Sequence, residues 1–292
     1  MNRLFFRSHT IEVLHALAIS MSSKVAEKGS LESVRNLLKF LDVVPQQYKV
    51  GPWSPAAHIT IFAYAAFIFL SMSYAVKAYT PPDYTQIPND WIQTYRLVGA
   101  LYGFALTALV YYASGIWMLG SYTLTSWNLM SLRLFFSYLA GHAVPGAGLV
   151  ADLLRYPSLI GCTVTVTVWW IILVPLIDFL LSQGKSREDR IFFWKWNLAP
   201  VLINVHLLNL PIIAIDFLAS GVALTFFDLW VALTVAFLYC MFYLNVLDPR
   251  GLHFYIIFSP RTVYCAISYA LILSGYYGFY QAWNYLLLEY PI

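Results

Sequence analysis

From residue 54 onward the chain is a succession of apolar runs broken at short intervals by polar residues. The runs lie near 55–78, 96–118, 123–141, 157–182, 197–219, 223–246 and 262–286. Each is close to the roughly 20 residues that a helix needs to cross the hydrocarbon core of a bilayer. The pattern predicts an all-α fold, a polytopic transmembrane helical bundle of about seven spans. Residues 1–53 follow another rhythm. One amphipathic helix is predicted over about 9–28. A second, Leu31 to Val44, sets Leu31, Val34, Leu38 and Leu41 against Arg35, Lys39 and Asp42, and Pro45 follows its end. Amphipathic N-terminal helices of this kind lie on a membrane surface or dock on a partner. The chain therefore divides into an arm (1–53), a first span with its loop (54–93) and a six-span bundle (94–292).

Composition sharpens this reading. The chain is 60% hydrophobic and only 11% charged, too little charge for a soluble domain. A net charge of +3 gives no reason to expect a nucleic-acid partner. The three cysteines, Cys162, Cys240 and Cys265, all fall in apolar runs, so packing is expected of them rather than a disulfide framework. Basic residues crowd the N-terminal side of the predicted spans: the arm, the 183–196 loop, Arg250 and Arg261. Lys77, Arg96 and Arg155 fall on the other side. The excess places the N-terminus on the cytoplasmic or matrix face. Arg3 and Arg7 before the first acid resemble a mitochondrial presequence, which makes the mitochondrial inner membrane one expected home and the endoplasmic reticulum the other. Trp53, Trp91, Trp127, Trp194, Trp196 and Trp283 are expected as interfacial anchors at span ends.

The run 197–219 is the one that carries chemistry. It holds Asn204, His206, Asn209 and Asp216, and polar side chains in hydrocarbon must be paired or must line a cavity. At about 100° per residue, Asn209 and Asp216 share a face and His206 lies within about 80° of them. Pro211 removes one backbone donor and frees a carbonyl one turn earlier, near His206. The run 123–141 supplies Thr125, Asn128 and Arg133. Arg133, about 12 Å deeper than Thr125, needs a partner, for which Asp178, Asp216 and Asp228 are the candidates. Thr125 and His206 enter from the same side, so a hydroxyl nucleophile and an imidazole base could meet at one depth, with Asn128 or Asn209 assisting. No HxxxH, HExxH, GxSxG or P-loop spacing occurs, and no metal or cofactor is expected.

These residues also carry a resemblance. His206-LLNL-Pro211-IIAI-Asp216 resembles the His-x4-Pro-x4-acid helix of the androgen-induced-gene and androgen-dependent-inhibitor family. Leu124-Thr125-Ser126-Trp127-Asn128-Leu129 resembles its threonine motif, with Asn128 where an acid often stands. Tyr156-Pro157 resembles the opening of a later span, and Gly251-Leu252-His253-Phe254-Tyr255 resembles the Gly-x-Trp-x-Tyr-Pro loop, with His253 and Ile256 departing from it. The similarity covers about residues 94–286. It implies a six-span bundle that hydrolyses fatty acid esters of hydroxy fatty acids, with Thr125 and His206 catalytic and lipids or fatty-acyl substrates as partners. The residues themselves put Asn128, Asn209, Asp216 and Arg133 in support, Arg133 foremost as a member of a buried ion pair. Residues 1–93 have no counterpart in that family. The arm and the departures motivate a second reading, a non-catalytic accessory subunit of a larger membrane complex such as the respiratory chain or ATP synthase, contacted through residues 1–50. A transporter, suggested by Arg133 and the buried acids, is a third.

Overall fold

A computed structural model describes residues 49–81, 90–184, 187–255 and 259–289. The amphipathic helices expected over 9–28 and 31–44 lie outside the described residues. The described chain is helical and contains no strand. In order, its main helices are α1 (Pro55–Lys77), α2 (Asp90–Ser114), α3 (Tyr122–Gly141), α4 (Ala147–Gln183), α5 (Arg187–Asn197), α6 (Pro200–Ser220), α7 (Phe226–Arg250) and α8 (Tyr264–Glu289). Caps follow the local sequence. Ser54 accepts the Ala57 N–H at 3.2 Å with Pro55 in the first turn, and Thr225 with Asp228 forms a capping box at the start of α7.

Among the described residues five helices, α1, α2, α4, α6 and α7, are long and apolar enough to cross a membrane. α3 and α8 stand at their expected places but are less apolar. For α3 the packing gives the reason: it sits between α2 and α4 with α6 also against it. Ser126, Ser131, Arg133 and Ser137 therefore face protein, not lipid. Each serine returns its hydroxyl to the carbonyl four residues back, at 2.9, 2.9 and 2.7 Å. Close approach depends on glycine: a Cβ on Gly103 of α2 would lie 2.0 Å from Ser131 Oγ, and one on Gly161 of α4 would lie 2.7 Å from Ser126 Oγ. Trp127, Met130, Leu134, Tyr156, Leu159 and Ile160 fill the core between these helices. The outer faces of α1 and α8, with Phe62, Phe69, Leu70 and Leu271, are exposed.

Three expectations are corrected. Arg96 and Arg155 are not loop charges outside the bundle; α2 begins at Asp90 and α4 at Ala147, which draws both guanidiniums inside, fully or nearly fully buried. Trp127 is no interfacial anchor: it is fully buried and its indole N–H donates to the Gly103 carbonyl at 3.0 Å.

Three π-helical stretches interrupt the long helices, at Thr167–Leu173, Asn204–Leu208 and Tyr243–Leu247. Each is followed within three residues by a proline: Pro175, Pro211 and Pro249. A proline ring clashes with the carbonyl four residues back and offers no N–H, so the ladder widens to an i→i+5 pattern just upstream.

Candidate functional site

His206 lies within the second π stretch and is buried. In an i→i+5 register its carbonyl would look to the N–H of residue 211, which proline lacks. The indole N–H of Trp170 fills that vacancy, donating to the His206 carbonyl at 2.8 Å. The carbonyl freed by Pro211 thus ties α6 to the first π stretch of α4.

The imidazole is held on three sides. Trp169 lies flat on it, with ring centres 4.0 Å apart and planes 22° from parallel. Trp169 is itself fixed by its indole N–H donating to Asn197 Oδ1 at 2.8 Å, at the buried end of α5. Nδ1 lies 3.2 Å from the Leu202 carbonyl, and a carbonyl only accepts, so Nδ1 carries the proton. In the neutral ring Nε2 is then a bare lone pair, and Thr123 Oγ1 lies 3.3 Å from it.

It is therefore Thr123, in the first turn of α3, that the structure brings to His206. Thr125 lies about 200° further round the helix. It lines a small cavity with Tyr122, Ser126, Pro157, Tyr239 and Tyr276, on the α7 and α8 side of α3. The hydroxyls of Tyr122 and Tyr276 meet there at 2.9 Å. The sequence signal for Thr123 was present in the same turn, but the facing of α3 is set by its neighbours.

Tyr255, from the loop after α7, completes the surroundings of the pair. Its phenol oxygen accepts the Tyr122 N–H at 3.1 Å. Burial pushes the Tyr255 phenol up, while the neighbouring Thr123 and the Tyr122 N–H at the helix start oppose the shift. The loop that delivers it is pinned by Asp248, which takes both Arg261 Nη1 and Nη2 (2.8 and 2.7 Å) and lies 3.1 Å from His253 Nδ1.

The remaining predicted residues lie elsewhere. Asn128 Oδ1 accepts from Thr107 at 2.6 Å, facing α2. Asn209 is fully buried and donates to the Val205 carbonyl at 2.9 Å. Arg133 finds its partner in Asp216 (3.1 Å), and so does Arg96 (2.6 Å), each through Nε to a separate carboxylate oxygen. Arg133 also donates Nη1 to the Ala151 carbonyl at 2.6 Å. Of the other two candidate acids, Asp228 pairs with Arg155 through two bonds and Asp178 with Arg190 at the α4–α5 corner. The Arg96–Asp216–Arg133 cluster sits toward the end of the bundle opposite His206, near the start of α2 and the ends of α3 and α6.

Among the described residues, the fold and these sites define an all-helical membrane-compatible bundle with five helices suited to a membrane. Comparison with protein-family models, curated proteins and solved structures finds no match.

Proposed function

We propose that this chain is a multi-pass integral-membrane lipid-ester hydrolase, crossing the bilayer about seven times with α3 and α8 included, and that Thr123 and His206 are its nucleophile and base. The observation that carries the reading is the Thr123 Oγ1–His206 Nε2 approach of 3.3 Å, with Nδ1 committed to the Leu202 carbonyl. That is the nucleophile–base–orienter order of acyl-transfer sites. Thr123 Oγ bonds to the ester carbonyl carbon as its proton passes to Nε2. The tetrahedral intermediate expels the alkoxide, which takes that proton and leaves as the alcohol. Water then attacks the acyl-threonine in the same way and releases the fatty acid. The oxyanion is assigned to the N-terminus of α3, where the Tyr122 N–H donates to the Tyr255 phenol oxygen at 3.1 Å. The short stretches that resemble the androgen-induced-gene and androgen-dependent-inhibitor family also support the reading. The turn holding Thr123 adjoins the threonine motif, and His206 and Tyr255 come from two of the other motifs.

A second reading, the accessory subunit, is favoured by the enclosure of the pair: Thr123 is 8% exposed and His206 6% exposed, with Trp169 flat on the ring. Hydrolysis of a fluorogenic acyl ester by purified full-length protein separates the two. Activity in wild type that is lost in Thr123→Ala and His206→Ala but kept in Thr125→Ala supports the hydrolase. No activity, with the chain locked in a stoichiometric membrane complex, supports the subunit.

A further inference from the structure

The buried cluster at the far end of the bundle leaves groups unanswered. Arg96 is fully buried, and its Nε bonds Asp216 Oδ1 at 2.6 Å. Its Nη1 and Nη2 are buried with no acceptor. Asp216 is already divided between two guanidiniums and carries one charge against their two. One turn before Arg96 on the same face of α2 stands Gln93, whose amide leans on Gly141 at the end of α3. Its Oε1 is buried and lacks a donor. Arg96 Nη1 and Nη2 and, one turn earlier on α2, Gln93 Oε1 are each costly to leave unmet in a low-dielectric interior.

We propose that Arg96 and Gln93 form a binding site for a phosphate group that also carries a hydroxyl. The planar edge formed by Nη1 and Nη2 suits two oxygens of a phosphate. Gln93 Oε1 requires a donor, which a carboxylate or a simple phosphodiester lacks and which a P–OH or a glycerol headgroup hydroxyl supplies. Arg96 stands six residues into α2, about 9 Å along the axis. That is a depth that a phospholipid headgroup at this end of the bundle reaches. The source is either such a headgroup or free phosphate.

The test follows thermal unfolding of the purified full-length protein in a neutral detergent and phosphate-free buffer. Dioleoylphosphatidylglycerol, inorganic phosphate or dioleoylglycerol is added. The phospholipid is expected to raise the unfolding temperature by roughly 5 °C near a hundredfold excess over Kd, and dioleoylglycerol to leave it unchanged. Arg96→Met, which leaves the Arg133–Asp216 pair intact, is expected to abolish the shift, and Gln93→Leu to halve it or more. A shift with inorganic phosphate that needs Arg96 assigns the site to the free anion. Should Arg96→Met fail to fold, Gln93→Leu carries the decision. A shift equal in wild type and in the folded variants, or none with either phosphate, overturns the proposal.

Discussion

Thr123 Oγ1 and His206 Nε2 lie 3.3 Å apart, although 83 residues separate them in sequence. The contact joins the first turn of α3 to a π turn of α6, and Tyr255 of a third segment closes over it. If this is the reacting pair, Thr123→Ala and His206→Ala each lower ester hydrolysis by about 100-fold or more, whereas Thr125→Ala stays within a few-fold of wild type. Equal loss from Thr125→Ala and Thr123→Ala would return the nucleophile to Thr125.

Asp216 is the hinge of the ionic cluster. Asp216→Ala leaves two buried guanidiniums without their carboxylate and is expected to destabilise the protein by about 3–5 kcal/mol. Asp178→Ala breaks the Arg190 pair, whose arginine side chain is 49% exposed, and the bond from Trp194 Nε1 (2.8 Å), and should cost far less. Denaturant titration in detergent, with helicity as the readout, checks the contrast. Similar losses from both would refute this ranking.

α2 and α3 touch through Gly103 and Ser131. Gly103→Ala puts a methyl group 2.0 Å from Ser131 Oγ and 2.8 Å from its Cβ. A cost of about 1–3 kcal/mol is expected. Adding Ser131→Gly removes both obstructing atoms and should restore most of that stability in the double variant. A Gly103→Ala protein as stable as wild type would mean that the helices are not packed this closely.

Pro211 sets the register around His206. Pro211→Ala returns an N–H that can bond the Leu207 carbonyl and so allows the ordinary i→i+4 ladder to continue. Upstream residues then turn relative to α4, and His206 leaves the face of Trp169. The expected sign is a changed near-ultraviolet circular dichroism signal with unchanged far-ultraviolet helicity, and the change should be absent in a Trp169→Phe background. An unaltered aromatic signal would show that the π turn does not depend on the proline.

Much of this molecule follows from its sequence alone. Apolar runs of span length mark seven of the long helices within a few residues at most ends. Such runs must close their backbone hydrogen bonds internally, and helix is the way a single segment does so. The need of Arg133 for an acid was legible for the same reason: a charge in an apolar run must be answered. Pro211 likewise announced a freed carbonyl near His206. Which acid answers Arg133, and that Arg96 answers it too, depended on which helix faces meet. Linear charge counting put Arg96 and Arg155 outside because it cannot see that α2 and α4 begin earlier than their apolar cores. The choice of Thr123 over Thr125 is the clearest case. Residues two apart point about 200° away from each other on a helix, and only the packing of α3 between α2, α4 and α6 decides which of them meets the imidazole.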